Sequence, residues 1–272
     1  MRKSLCIVLL GLMVMGCEVI PEADRLIPVP IESSTARRHV LLDFTGFRCV
    51  NCPTAAETAQ DLSELYGERL IVVSLHPASN PFTQGLYDYT CPAADSVYRA
   101  LGGTASTPFP TGNVDLVRLN DRAFFDPAEW SALLQTQLRD SAAPTLWVDA
   151  SLDTLSRSLS ANIYCYADTT TQAFLALWVT EDSIRGVQAM PDGTVNTDYL
   201  HRHMLRTTAY DSPWGIPVTM TPLTAPQRAV CTLPEDCQPA QCHVIALLLD
   251  CNDKHILQAY ETNLDLGDLV LP

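Results

Sequence analysis

The chain has 272 residues, and its 31 Asp and Glu outweigh 17 Lys and Arg to give a net charge of −14. That balance leaves no basic patch, so nucleic acid is not an expected partner, and the acidity speaks mainly for solubility. With 47 % hydrophobic residues the chain can bury one large core or two ordinary ones.

In chain order, "MRKSLCIVLLGLMVMGC" comes first, with Arg2 and Lys3 ahead of an apolar run that closes on Gly16 and Cys17. The run is too short to span a bilayer as a helix and reads as an export signal over residues 1–17. Its ending resembles a bacterial lipobox, which implies a lipidated Cys17, with the membrane as partner through that lipid anchor. Residues 18–38 are Pro-rich and charged without a period, and read as a tether.

"HVLLDFTG" at 39–46 is short and apolar, a buried strand. "PTAAETAQDLSELYGE" places Ala55, Ala59, Leu62 and Tyr66 on one helical face, with Pro53 in the first turn and Gly67 at the stop. "RLIVVSLHP" is a second apolar strand, which completes a βαβ unit with parallel strands. A polar and aromatic loop at 78–93 follows, then a short helix in "AADSVYRALGG" and a strand after "STPFP". "FDPAEWSALLQTQL" opens with Asp126, Pro127 and Glu129, the pattern of a capping box. After residue 141 the pattern changes to short strand-like runs, from "TLWVDASLD" to "HILQAYETNL", with no helix signalled. The expected fold is therefore α/β over 39–141 followed by an all-β, antiparallel sandwich over 142–272.

The chain has ten cysteines; Cys6 leaves with the signal and Cys17 is the expected anchor. An exported chain meets an oxidising environment, so structural disulfides are expected, with Cys237–Cys242 across "CQPAQC" as a possible local clip. The pair in "FTGFRCVNCPTAA", Cys49 and Cys52, stands apart. A structural zinc site needs four ligands, and there is one CxxC only, so neither metal nor other cofactor is expected. His201 and His203 in "HRH" share a strand face but make an incomplete site. A structural clip and a redox pair both remain open. The flanks favour redox chemistry, because a strand leads into the pair and a helix N-terminus, which stabilises a thiolate, leads out of it. Cys49 at the exposed mouth would be the nucleophile, with Arg48 beside it, and Cys52 the buried resolving thiol.

"LLDFTGFRCVNC" resembles the active-site strand and turn of the thioredoxins. That resemblance implies that Asp43 relays the proton of Cys52. It also implies a cis-proline opposite the pair, for which "FPTGNV" offers Pro110 and "TPFP" offers Pro108 as the alternative. Arg48, Val50 and Asn51 depart from the thioredoxin pattern. Over nearly the whole mature chain, "TGFRCVNCPTA", "WVTEDSI", "DYLHRHMLR" and "ILQAYE" resemble the Omp28-related outer-membrane lipoproteins of Bacteroidetes. This implies a thioredoxin-like domain joined to a β-sandwich. The expected function is a lipid-anchored thiol–disulfide oxidoreductase of the cell envelope acting on protein thiols or disulfides. The alternative is a non-catalytic lipoprotein whose β-sandwich mediates binding.

Overall fold

A computed structural model describes residues 36–138, 144–264 and 266. The signal, the lipidation position Cys17 and most of the tether lie outside the described residues. Strand β1 (His39–Phe44) runs parallel to β2 (Leu70–Leu75), connected by helix α1 (Cys52–Tyr66). Strand β3 (Thr111–Val114) lies antiparallel on the other side of β1, after helix α2 (Pro92–Ala100). The expected capping box forms: the Asp126 N–H donates to Glu129 Oε2 at 3.0 Å, at a single 3₁₀ turn that leads into helix α3 (Trp130–Gln137).

Ten more strands follow: β4 (Thr145–Asp153), β5 (Ser158–Tyr166), β6 (Thr171–Glu181), β7 (Ile184–Ala189), β8 (Val195–His201), β9 (Met204–Thr208), β10 (Ile216–Met220), β11 (Gln227–Thr232), β12 (Cys242–Asp250) and β13 (Ile256–Asn263). They do not keep to themselves. One eight-stranded sheet runs β13-β12-β6-β9-β2-β1-β3, with β10 paired to β6. β9 therefore brings the later chain against β2; the two meet at Ser74 and Met204, where the Ser74 N–H donates to the His203 carbonyl at 2.8 Å. The sheet thus passes unbroken across the expected division at 141/142. A second tie is made by buried Asp115, whose carboxylate accepts from the Val40 N–H at 2.8 Å while its own carbonyl accepts from the Ile256 N–H at 2.8 Å.

Burial on both faces explains the continuous apolar runs. On β12, Ile245, Leu247 and Leu249 join a core with α2 and the CxxC pair, while Val244, Ala246 and Leu248 face the three-stranded sheet β11-β5-β4. β6 alternates likewise, with Trp178 on the first side and Leu175, Leu177 and Val179 on the second. Helices α1 and α3 cover the remaining face of β1 and β2 through Ala55, Ala59, Leu62, Trp130 and Leu134.

The strands β7 and β10 were not expected from the sequence, and of β8 only its end at His201 was read as strand. β7 and β8 form a separate two-stranded hairpin. Its turn is "MPDGT", with Gly193 at φ +83°, a conformation that suits glycine. The six cysteines beyond the CxxC are unbonded among the described residues. Cys237 and Cys242, expected as a clip, are buried thiols instead: the Cys242 Sγ–H donates to the Gln238 carbonyl at 3.3 Å, and a hydrogen bond with Cys242 pushes the Cys237 thiol up.

Candidate functional site around the Cys49–Cys52 pair

Strand β1 ends at Phe44, the chain turns through "TGFRC", and α1 begins at Cys52 with Pro53 in its first turn. Cys49 and Cys52 are bonded to each other, with Cα atoms 5.4 Å apart. The expected exposed nucleophile is corrected here: each cysteine is only 2 % exposed. The cover is β7. The Ala189 N–H donates to the Phe47 carbonyl at 2.8 Å, and Gln188 Nε2 donates to the Cys49 carbonyl at 2.9 Å and to the Gly46 carbonyl at 3.4 Å. The Val187 N–H donates to the Tyr89 hydroxyl at 3.0 Å, which locks β7 to the 78–93 loop as well. Gly186 permits this approach, since a Cβ there would overlap the Tyr89 hydroxyl. Arg48 turns outward and donates to the Gln84 carbonyl at 3.2 Å.

Beneath the hairpin lies a cleft of about 380 Å³ lined by Asp43, Cys52, Ser74, His76, Gln188 and His201, among others. Glu57, Asp61, Asp198 and Arg202 stand at its exposed rim. Asp43 and Cys52 therefore line the same cleft. Asp43 is 1 % exposed, its Oδ1 has no hydrogen-bond partner among the described residues, and burial pushes its carboxyl up to about 7. The Phe109–Pro110 bond is cis, as expected of the Pro110 candidate, although Pro110 does not line the cleft. Phe109 shares the core with both cysteines.

Sequence reasoning missed the histidines. His203, expected to face the same way as His201, sits at φ +54° and pairs with Asp182 at 3.2 Å. His201 meets His76 instead, with ring centres 5.9 Å apart, and Tyr89 and Tyr199 pack against it at 4.8 and 4.9 Å. Burial, with the charges of His201 and Arg206 adding to it, pushes His76 down to about 3, and burial pushes His201 down to about 4. Both rings are therefore neutral at neutral pH. The "PDG" turn between alternating residues was the one local signal for the hairpin that brings His201 here.

The family model described as outer membrane protein Omp28 matches residues 97–265, which include the hairpin and begin after the CxxC. No curated protein matches the chain. Among solved structures, HBP35 of Porphyromonas gingivalis is similar at 18 % identity with a TM-score of 0.69, covering 89 % of this chain and 80 % of that one. A protein of Agrobacterium tumefaciens is similar at 14 % identity with a TM-score of 0.50, covering 87 % of this chain and 97 % of its own. A domain of the outer membrane lipoprotein Omp28 from Porphyromonas gingivalis gives a TM-score of 0.34 at 10 % identity, over 47 % of this chain and 92 % of that one. At these identities the first two likenesses are of fold.

Proposed function

The chain belongs to the Omp28 family of outer-membrane proteins, and we propose that it works there as a lipid-anchored thiol–disulfide oxidoreductase through Cys49 and Cys52. Its place is the outer membrane, and among the described residues no helix is long and apolar enough to cross a bilayer. In this reading residues 39–141 are a thioredoxin-like domain and residues 142–272 a β-sandwich domain sharing its sheet edge. The observation that supports the reading is the shared cleft, lined both by Cys52 at the start of α1 and by Asp43 of β1, whose carboxyl Oδ1 has no hydrogen-bond partner among the described residues. A carboxyl near 7 both takes up and releases a proton at neutral pH.

In the reductase direction the Cys49 thiolate attacks a substrate disulfide, and one substrate sulfur leaves as a thiolate. Cys52 gives its proton to Asp43 and attacks the Cys49 sulfur. The protein disulfide forms, the second substrate thiolate leaves, and two electrons have passed to the substrate. The reverse sequence makes an oxidase. Protein thiols or disulfides are the substrates in this reading, admitted when the β7–β8 hairpin lifts.

One observation favours a second reading. With both cysteines 2 % exposed, the pair can serve as an inert clip at the start of α1 in a non-catalytic binding lipoprotein. A redox titration of the mature chain separates the two, combined with trapping. An oxidoreductase cycles while folded, and Cys52→Ser captures envelope proteins in mixed disulfides where Cys49→Ser captures none. A pair that is reduced only on unfolding, with no capture by either variant, leaves the binding lipoprotein.

A further inference from the structure

Two buried histidines of the cleft have no task in the mechanism above, and they belong to different parts of the fold. His76 follows β2 directly and sits on the main sheet, whereas His201 ends β8 and sits on the hairpin. They are 3 % and 5 % exposed, and neither Nε2 has a hydrogen-bond partner among the described residues. Their rings meet edge to face, 5.9 Å between centres, across the seam between sheet and hairpin. Tyr89 of the 78–93 loop and Tyr199 of β8 close that seam with further rings.

The hairpin joins the sheet through a narrow hinge. The β6–β9 pair nearest to it is Glu181 with Met204, and the first pair of the hairpin is Ile184 with His201. Asp182–Ser183 on one strand and Arg202–His203 on the other therefore make the whole connection. Ser183 stands at φ +60° and His203 at φ +54°, the left-handed region that side chains disfavour. The Asp182 carboxylate pins the hinge: one oxygen accepts from the His203 N–H at 2.5 Å, and the other lies 3.4 Å from His243 Nε2 on β12. His201 lies at the root of the hairpin, and Ala189, bonded to Phe47, ends β7 about 16 Å beyond Ile184 at ~3.3 Å per residue. A small parting of the two rings is thus levered into a larger movement over the Cys49–Cys52 pair.

We propose that His76 and His201 are an acid-operated latch: proton uptake by either ring parts the hairpin from the sheet at this hinge and uncovers the Cys49–Cys52 pair. A buried imidazolium needs an acceptor or a counter-ion, and two facing imidazolium rings repel. Burial holds both rings neutral, at about 3 for His76 and about 4 for His201 against an ordinary 6.5. The charges around the seam leave them without a counter-ion. Arg206 of β9 is itself a cation, held by Glu181 at 2.7 Å. On β8, Asp198 is paired to Arg185 at 2.8 Å, and Arg202 donates to Gln60 at 3.3 Å. Glu57 and Asp61 of α1 stand at the exposed rim. Asp182 is engaged by His203 and His243. Asp43 of β1 works in the opposite sense, since its raised value makes the closed cleft more favourable as pH falls, so the test removes it. At pH 5, about 1.5 pH units below the ordinary histidine value, proton uptake favours the lifted state by up to about thirtyfold for each ring.

The test uses the full mature chain in an Asp43→Asn background. A water-soluble phosphine opens the pair at pH 7.5 and at pH 5, beside the same chain carrying His76→Gln/His201→Gln, so the reagent's own pH dependence cancels in the ratio of the two rates. That ratio is expected to rise about tenfold or more on going to pH 5, with the single variants His76→Gln and His201→Gln falling between. Circular dichroism checks that each variant is folded, and a smaller rise in folded proteins overturns the latch. Hydrogen exchange, which needs no histidine variant, places the opening. At pH 5 the Val187 and Ala189 amides should lose protection while the Ala246 and Leu248 amides of β12 keep theirs; equal loss in β12 means global unfolding and also overturns the latch. The phosphine step needs no catalysis by the protein, so the latch stands or falls apart from the oxidoreductase reading, which fails instead on absent mixed-disulfide capture.

Discussion

Asp43→Asn offers the sharpest test of the cleft's electrostatics. Asp43 is enclosed on β1 with no partner to offset its burial, and its carboxyl is pushed from an ordinary 3.8 to about 7. A raised carboxyl favours folding only while it stays protonated. Below about pH 4 the folded and unfolded chains hold the same proton, and Asp43 adds no penalty. Between pH 4 and 7 the unfolded chain ionises while the folded chain does not, so stability falls as pH rises, and above 7 the loss is complete. The rise from 3.8 to about 7 corresponds to roughly 4 kcal/mol, as an upper-end figure. His76 and His201 act in the opposite sense, because their depressed values lower stability as the pH falls below 6.5. They are present in both proteins and cancel in the difference. Urea denaturation of the oxidised chain in chelator-containing buffer, from pH 4 to 8, should show Asp43→Asn gaining stability on wild type steadily as pH rises. A difference that stays constant within about 1 kcal/mol over that range refutes a buried, partnerless carboxyl.

The hairpin cover is checked by Gln188→Ala, which removes the bonds to the Cys49 and Gly46 carbonyls. At about 0.5–1.5 kcal/mol per bond, dithiol reduction of the pair should speed up roughly tenfold, with an unchanged rate counting against the cover. Gly186→Val, which collides with the Tyr89 hydroxyl, should act the same way and more strongly. Alkylation of the folded, oxidised chain should label the half-buried Cys251 first and Cys165 and Cys231 slowly, because burial pushes both of the latter thiols up to about 11. Mass mapping that finds Cys237 joined to Cys242 would contradict the two thiols seen here. Cys17→Ser should abolish fatty-acid labelling and release the protein from the membrane fraction, and an unlabelled wild type would dispose of the lipobox.

What the sequence made legible was local. Asp43, six positions before Cys49 on an apolar strand, Pro53 in the first turn of α1, Pro110 as the cis-proline candidate, and the Asp126–Glu129 box are all short-range patterns. The later strands β4, β5, β6, β9, β11, β12 and β13 were likewise readable from alternation and turn residues. What escaped was set by contacts between distant residues. Nothing in "HMLRTTAY" announces that β9 slots beside β2, because the two share a single register pair. His76 and His201 lie 125 positions apart and meet only because the β7–β8 hairpin folds over α1. The exposed Cys49 was wrong for the same reason, since a helix N-terminus looks open until another element is laid on it.

That element changes what the pair can do. Four hydrogen bonds, from Val187, Ala189 and the two made by Gln188, fasten β7 to the Cys49 loop and to Tyr89. At about 0.5–1.5 kcal/mol each they sum to roughly 2–6 kcal/mol, so the lifted state would be populated at about one part in 30 to one in 10⁴. A general thiol in solution attacks only in that minor state and is slowed by the same factor. A partner that replaces those bonds with its own strand, pairing to the Phe47 and Cys49 carbonyls that β7 now occupies, escapes the penalty. In the proposed oxidoreductase, selectivity would reside in the cover rather than in the cysteines, and it would favour an extended segment over a small thiol, because only the former restores the bonds it breaks.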